Sequence, residues 1–267
     1  MATHDQQVAI TVGEGTIAGT FVSPGTLVPG VLFIHGWGGS QEQYLARARQ
    51  IAALGCICLT FDLRGHVGTR PQFETVSRAS NLEDVLAAYN LLTQRPEVDP
   101  SAIALVGSSY GGYLAAILSE MRPVKWLALR APALYMDTGW ELPKLQLHKD
   151  QDLPTYRRSV VLAENNRALK AVRKFTGDVL LVQSELDSIV PKAVLSSYRE
   201  AATHARSLTY RCIEGADHGL TQPSDQRAYT TLLVNWFKEM MVGARAGPVV
   251  APSGADAPHP ESPPKTH

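Results

Sequence analysis

The sequence has little of what marks a nucleic-acid-binding protein, a membrane-spanning protein or a disulfide-stabilised protein. Its 25 Lys and Arg residues are balanced by 25 Asp and Glu residues, whereas binding to nucleic acid or to an anionic membrane needs a basic surface. No apolar run approaches the ~20 residues that a membrane-spanning helix requires. We therefore expect neither nucleic acid nor a membrane as a partner. The 267 residues are enough to bury a large core in one domain.

Cysteine is scarce, and its positions indicate neither a disulfide framework nor a metal site. The chain has three cysteines, Cys56, Cys58 and Cys212, and an odd number is typical of a reducing compartment. Cys56 and Cys58 share one face of a predicted strand, where small buried core residues are the simpler interpretation. Residues 1–7 are polar and lack the hydrophobic segment of a secretory signal. These features predict a cytoplasmic protein.

What the sequence does have is a regular alternation of apolar runs and helical patterns. Residues 8–12 and 17–22 predict an antiparallel hairpin at the start of the chain. Further strands are predicted at 31–34, 56–61, 103–106, 126–129, 179–182 and 208–213. Helical periodicity marks the segments 45–54, 82–92, 194–198 and 229–240. This order predicts an α/β fold with a mainly parallel central sheet and helices on both faces.

Two stretches interrupt the alternation. Residues 135–176 separate two predicted strands by far more than an ordinary crossover, and they are polar. We interpret them as a small cap over the carboxyl ends of the strands, although a crossover helix with a long loop is the alternative. Residues 244–267 are rich in Pro, Ala, Gly and Ser without an apolar period, which predicts a disordered tail. The folded domain is therefore expected to span 1–243.

The most informative motif is Gly107-Ser108-Ser109-Tyr110-Gly111, which lies between a predicted buried strand and a predicted helix. Glycine is needed two positions before and after Ser109, because side chains there would collide with the neighbouring strand and helix. Such a sharp turn lifts the serine hydroxyl out of the sheet and places the next backbone N–H, that of Tyr110, at a helix N-terminus. The motif predicts that Ser109 is a nucleophile.

A nucleophilic serine needs a histidine base, and the histidine needs an acid that orients its ring. His218 lies in the loop 215–219, directly after the last predicted strand, and is the best candidate base. Asp187 follows the strand 179–182 closely and is the best candidate acid. Glu185 and Asp137 are the alternatives. His35 and His66 lie in glycine-containing turns at strand ends, where structural roles are favoured.

The order serine, acid, histidine in this strand–turn–helix context resembles the α/β-hydrolase fold family over nearly all of 8–240. Residues 107–111 are similar to the nucleophile elbow of that family, and residues 215–219 to its histidine loop. His35-Gly36-Trp37-Gly38 resembles its oxyanion loop. Residues 61–66 resemble its strand-end motif, which continues here as Val67-Gly68 where Gly-Ser is common. The chain looks most similar to small bacterial esterases of the dienelactone-hydrolase and prolyl-oligopeptidase-related branches.

The resemblance implies a serine hydrolase with no metal or organic cofactor. Ser109 would attack an acyl carbonyl, His218 would take its proton, and Asp187 would orient the histidine. The backbone N–H groups of Tyr110 and Trp37 would hold the oxyanion. We expect a small-molecule acyl substrate, namely a carboxylic ester of small to medium size. A peptidase, a thioesterase, an acyltransferase or a non-catalytic binding protein of the same fold are the alternatives.

Four residues are candidates for substrate contacts. We expect Trp37, Tyr110 and Trp140 to wall the acyl pocket, although simple packing explains Trp140 equally well. Arg130 follows a predicted strand and could bind a substrate carboxylate, but a structural ion pair with a nearby acid is favoured. A cap over this pocket would exclude folded proteins as substrates.

Overall fold

A computed structural model describes residues 4–23 and 28–246 of the chain. Within these residues the strands are β1 (His4–Val12), β2 (Gly15–Ser23), β3 (Val28–Ile34), β4 (Ile57–Phe61), β5 (Val98–Ser108), β6 (Trp126–Arg130), β7 (Asp178–Ser184) and β8 (Ser207–Ile213). The α-helices are α1 (Glu42–Ala52), α2 (Arg78–Thr93), α3 (Tyr110–Met121), α4 (Lys144–Asp150), α5 (Leu153–Tyr156), α6 (Arg167–Lys174), α7 (Lys192–Ala201) and α8 (Pro223–Ala246). Short 3₁₀ helices span Val67–Gln72 and Ala163–Asn165.

The strands form one eight-stranded sheet in the order β1-β2-β4-β3-β5-β6-β7-β8. β1 pairs antiparallel with β2, and β2 pairs antiparallel with β4, whereas every later pairing is parallel. The predicted N-terminal hairpin and the mainly parallel sheet are therefore confirmed. β5 lies at the centre between β3 and β6. The loops that follow these three strands consequently meet at one edge of the sheet.

Helices cover both faces of the sheet. Because successive side chains of a strand point to opposite faces, each buried strand contributes to two cores. In β3, Leu32 and Ile34 belong to a core that they share with α2, α3, α6 and α7. Val31 and Phe33 point to the other face and belong to a core that they share with α1 and α8. Each fully buried side chain of this kind contributes roughly 1.5–3 kcal/mol of transfer free energy. The sheet is thus a rigid support for the loops at its carboxyl edge.

The segment 135–176, which we interpreted from the sequence as one cap, consists of two parts in the structure. Its last part is α6, whose Leu169 and Val172 are buried in the core that also contains α3. This helix is the crossover between β6 and β7. The part before it, with α4 and α5, packs on the strand-end loops, and Pro143 forms a β-bridge with Ser77 before α2. Only this first part is placed to act as a cap.

The end of the domain also differs from the expectation, since α8 continues to Ala246 rather than ending at 243. The remainder of the predicted tail, 247–267, lies outside the described residues. Among the helices of residues 4–23 and 28–246, none is both long and apolar enough to cross a membrane.

Candidate active site

Ser109 occupies the sharp turn between β5 and α3. Its φ of 52° and ψ of −118° are unusual for a residue with a side chain. A Cβ atom on Gly107 would lie 2.5 Å from the carbonyl oxygen of Gly111, and a Cβ on Gly111 would lie 2.1 Å from that of Ile34. Both glycines are therefore required by close backbone approach. The turn is stabilised by the N–H of Ser109, which donates to the carbonyl of Arg130 at 2.9 Å.

The hydroxyl of Ser109, the ring of His218 and the carboxylate of Asp187 form one hydrogen-bonded chain. The Ser109 Oγ lies 3.0 Å from the His218 Nε2, and the Asp187 Oδ2 lies 2.7 Å from the His218 Nδ1. The Asp187 Oδ1 also accepts from the backbone N–H groups of Ile189 and Val190 at 2.9 and 2.8 Å. Burial alone raises the pKa of Asp187, but these hydrogen bonds outweigh it and lower the pKa below its usual value. The carboxylate thus stays ionised and holds the imidazole.

The two alternative acids have other partners. Glu185 accepts a hydrogen bond from the N–H of Gly215 at 2.8 Å, which holds the histidine loop in place. Asp137 accepts from the N–H of Arg167 at the start of α6, at 2.9 and 3.1 Å. Within the described chain, neither carboxylate contacts His218. Of the three candidate acids, the structure brings only Asp187 to the histidine.

The glycine-rich loop after β3 lies against Ser109. A Cβ atom on Gly36 would be 3.4 Å from the Cβ of Ser109, so the loop backbone passes close to the serine. The N–H of Gly38 and the N–H of Gly39 both donate hydrogen bonds within the protein, each at 3.0 Å. Because these two N–H groups already have acceptors, they do not compete for a substrate oxyanion with the predicted donor, the N–H of Trp37. The other predicted donor is the N–H of Tyr110, the first residue of α3.

Two neutral histidines hold this loop. The Nε2 of His35 accepts from the N–H of Leu63 at 3.0 Å, and its Nδ1 donates to the carbonyl of Gly36 at 2.8 Å. Burial lowers the pKa of His35 to about 4. The Nε2 of His66 accepts from the N–H of Gly38 at 3.0 Å, and burial lowers its pKa as well. Both rings therefore connect the loop after β3 to the loop after β4 by hydrogen bonds, which is a structural role.

The sequence was compared with families of known proteins. A sequence model of the S9 peptidases, described as the prolyl oligopeptidase family, matches residues 42–243, which include the serine, the acid and the histidine. The chain belongs to the prolyl oligopeptidase family. This family is a family of serine hydrolases.

The chain is also similar to one curated relative and to several solved structures. An uncharacterized protein of Mycobacterium tuberculosis is 26% identical over 244 residues, which cover 89% of this chain and 80% of that protein. A dienelactone hydrolase from Anabaena variabilis has a similar fold, with a TM-score of 0.65, 19% identity, and coverage of 89% of this chain and 98% of that chain. Est1E from Butyrivibrio proteoclasticus, solved with ferulic acid bound, has a TM-score of 0.69, 18% identity, and coverage of 88% and 100%. These structures show that the α/β-hydrolase fold is shared.

In this member of the prolyl oligopeptidase family, a cavity of about 170 Å³ lies beside Ser109. It is bordered by the loop 36–39, by Ser109 and by His218. Two of the four predicted substrate contacts, Trp37 and Arg130, also border it. The cavity is thus lined by Ser109, by His218 and by the positive charge of Arg130.

The other two predicted substrate contacts lie elsewhere. The side chain of Tyr110 is fully buried and its hydroxyl donates to the Oδ1 of Asn81 on α2 at 3.1 Å. Its ring therefore belongs to the layer between the sheet and α2, and only its backbone N–H is available to the site. Trp140 stacks on the buried ring of Tyr113, with centroids 6.2 Å apart, and does not border the cavity of Ser109. Packing explains both rings.

Lys144, at the start of α4, is a residue that the sequence analysis missed. It is only 1% exposed, and its ammonium group lies 4.0 Å from the ring centroid of Trp37. The rings of Tyr110 and Tyr135 are 4.9 and 5.1 Å away. Burial lowers the pKa of Lys144, and this cage of aromatic rings stabilises its charged form. The cap segment therefore rests directly on the loop that carries the predicted oxyanion donor.

Arg130 has no acidic partner in the described residues, contrary to the expected structural ion pair. Its side chain donates to the Oγ of Ser108 at 3.2 Å and to the Oγ of Ser184 at 3.3 Å. The neighbouring strands β5 and β7 present serine hydroxyls to it rather than carboxylates. The guanidinium is held in position without being neutralised.

Proposed function

We propose that this protein hydrolyses carboxylic esters of small to medium acyl size through an acyl-enzyme intermediate. One observation carries the proposal. The hydrogen-bonded chain from Ser109 through His218 to Asp187 is complete, and it lies at the carboxyl end of the central strand. A protein that only binds ligands has no need to keep all three groups in contact.

The first half of the reaction forms the acyl-enzyme. The Oγ of Ser109 attacks the ester carbonyl while its proton passes to the Nε2 of His218, and the carboxylate of Asp187 stabilises the resulting imidazolium. The carbonyl oxygen becomes an oxyanion that accepts hydrogen bonds from the N–H groups of Trp37 and Tyr110. Collapse of this intermediate breaks the ester C–O bond, and the proton on His218 passes to the leaving alkoxide.

The second half repeats these steps with water. His218 removes a proton from a water molecule, which attacks the acyl carbon of the Ser109 ester. The same N–H groups stabilise the second oxyanion. The C–O bond to Ser109 then breaks, His218 returns the proton to the serine oxygen, and the carboxylic acid leaves. Each step uses side chains and backbone groups of this chain together with water, and we expect full activity after dialysis against a chelator.

The dimensions of the site support a small substrate. The cavity beside Ser109 has a volume of about 170 Å³, and the segment with α4 and α5 packs against Trp37 at its edge. One protein of similar fold is a dienelactone hydrolase, and another was solved with ferulic acid bound. Both favour a small organic substrate over a protein. We expect the reaction to take place in the cytoplasm.

Cleavage of an amide is the second candidate, because the matching family is one of peptidases. Thioester hydrolysis and acyl transfer would use the same serine, histidine and acid. The choice among them depends on the leaving group and the acceptor, which panels of substrates can separate.

The deciding experiment compares p-nitrophenyl esters of increasing acyl length with matching p-nitroanilides, for wild type, Ser109→Ala and the control Ser119→Ala on α3. We expect wild type and the control to hydrolyse short esters faster than anilides. Ser109→Ala should be at least about 10⁴-fold slower. Faster anilide hydrolysis would favour a peptidase. Absence of labelling of Ser109 by a fluorophosphonate, together with absence of turnover, would favour a non-catalytic protein.

A further inference from the structure

A second cavity, bordered by residues of α1 and α8, adjoins the cavity beside Ser109. It has a volume of about 140 Å³. It shares with the first cavity the lining residues Gln43, Tyr44, Ser108, Arg130 and Gly219. The two cavities therefore meet at these residues.

Two buried arginines line this second cavity, Arg130 and Arg47. They are 7% and 9% exposed. The Nη1 of Arg47 donates to the carbonyl of Gln43 at 2.6 Å, and its buried Nε has no hydrogen-bond partner. In the part of the chain that the structure describes, neither arginine forms a salt bridge with an acid. Two buried positive charges thus lack a negative counterpart.

The two arginines border the same cavity and the same aromatic ring. Both lie over the ring of Tyr229 on α8, with their central carbon atoms 4.9 Å (Arg47) and 5.9 Å (Arg130) from the ring centroid. The aromatic ring holds them in place but does not neutralise them. A buried charge without a partner is costly, and a ligand that supplies the opposite charge recovers this cost.

A groove that adjoins the second cavity has the same character. This groove, of about 440 Å³ between α1 and α8, borders Arg47 and Arg227, and its other polar lining residues are amides and hydroxyls. No Asp or Glu is among the residues that line this groove or either of the two cavities, all of which lie within residues 36–231. The lining of the groove and of both cavities therefore favours an anion.

We propose that the substrate carries a free carboxylate, which Arg130 and Arg47 bind while Ser109 attacks an ester carbonyl of the same molecule. The planar fork of a guanidinium matches a carboxylate in shape and donates paired hydrogen bonds to it. The substrate class is thus a carboxylate-bearing ester, such as a monoester of a dicarboxylic acid or an ester of a hydroxy acid. This assignment rests on the proposed ester hydrolysis for its reaction, but the carboxylate site can be measured without catalysis.

The binding experiment uses Ser109→Ala protein and isothermal titration with monomethyl glutarate and dimethyl glutarate. We expect the monoanion to bind at least about tenfold more tightly than the neutral diester, because charge-assisted hydrogen bonds to a buried partner are strong. A further Arg130→Gln or Arg47→Gln substitution should remove this preference. The control Arg49→Gln, an exposed arginine of the same helix α1, should not. Equal binding of both compounds, or no binding at millimolar concentration, would overturn the proposal.

The kinetic experiment locates the carboxylate within the substrate. One pair of esters is mono-p-nitrophenyl glutarate and its methyl ester, with the charge on the acyl side. The other pair is 4-butyryloxybenzoate and its methyl ester, with the charge on the leaving group. We expect at least about tenfold higher kcat/KM for the acid in one pair, lost in Arg130→Gln. If wild type hydrolyses no ester but binding still depends on the arginines, the proposed reaction is wrong and the carboxylate site stands.

Stability separates ligand binding from a purely structural role. Arg47→Met and Arg130→Met remove the charge and keep much of the side-chain volume. For arginines without a counter-charge, we expect Tm to be unchanged or higher, together with lost carboxylate binding. A lower Tm with unchanged binding would show that the arginines only support the fold.

Discussion

The ammonium group of Lys144 lies 4.0 Å from the ring centroid of Trp37, although the two residues are far apart in sequence. Lys144 begins α4 in the segment between β6 and β7, and Trp37 lies in the loop that approaches Ser109. The contact therefore couples the position of the segment with α4 and α5 to the position of a proposed oxyanion donor. In the absence of the Lys144 side chain, the indole ring of Trp37 would lose one of its packing contacts.

Replacement of Lys144 tests this coupling. For Lys144→Met we expect kcat to fall about tenfold, because a small displacement of one oxyanion donor weakens transition-state stabilisation. Stability should change by no more than about 1 kcal/mol, because the lost cation–π contact is offset by removal of a buried charge. Ester hydrolysis and urea unfolding measure the two effects. Lys149→Met on the same helix is the matched control, and an equal fall in its kcat would refute the coupling.

The choice of acid is tested by two amide substitutions. Asp187→Asn should lower kcat by about 10³–10⁴-fold, because a neutral amide neither fixes the required tautomer of His218 nor stabilises its cation. Glu185→Gln should change kcat only a few-fold, since a Gln oxygen can still accept from the N–H of Gly215. Initial rates on one short ester decide the question. The reverse ranking would make Glu185 the acid.

Acid sensitivity of the fold is expected from His35. Its pKa is about 4 in the folded protein, compared with about 6.5 in an unfolded chain. Above pH 6.5 neither state is protonated, whereas between pH 6.5 and 4 only the unfolded state binds the proton. The free energy of unfolding should therefore fall on acidification, by about 3 kcal/mol from this residue across that range.

Urea unfolding at a series of pH values measures this contribution. His35→Gln should lower stability at neutral pH but flatten its decrease between pH 6.5 and 4. The exposed His204 provides the control, because His204→Gln should leave the pH dependence of wild type intact. Parallel curves for wild type and His35→Gln would show that burial of His35 does not cause the sensitivity.

Val67 has a conformation that a β-branched residue disfavours. Its φ is 42°, and its side chain is 56% exposed, so little packing compensates for the strain. We expect Val67→Gly to stabilise the protein by about 1 kcal/mol, which is the relief of strain less the greater chain entropy of glycine. This corresponds to a rise in Tm of roughly 2–4 °C in a thermal melt. Val67→Ala keeps a Cβ atom and should gain less.

Much of the fold and the core of the site follows from local sequence patterns. The sheet was predictable because its strands are buried on both faces and read as continuous apolar runs, as in Val31–Ile34. The turn at Ser109 was predictable because a turn this sharp requires glycine at positions 107 and 111, and this spacing is visible in the sequence. Asp187 and His218 each follow a strand directly, so the parallel sheet brings them to one edge.

The remaining features depend on tertiary contacts that no local pattern records. Lys144 and Arg47 are polar residues on short or amphipathic helices, where the sequence predicts exposure, and only the packing of other elements buries them. The direction of the Tyr110 side chain depends on where α2 lies. The apolar face of α6 spans only eight residues, so its periodicity was obscured by the polar residues around it.

The Arg130 backbone carbonyl accepts from the N–H of Ser109, and its side chain donates to the adjacent Ser108. The proposed nucleophile and the proposed carboxylate-binding charge are consequently held at a fixed separation by the same strand ends. The distance between Ser109 and the guanidinium group of Arg130 would therefore select substrates by length. Among esters that differ only in the number of methylene groups between carboxylate and carbonyl, one length would span the gap, while shorter and longer chains would leave either the charge or the carbonyl out of reach.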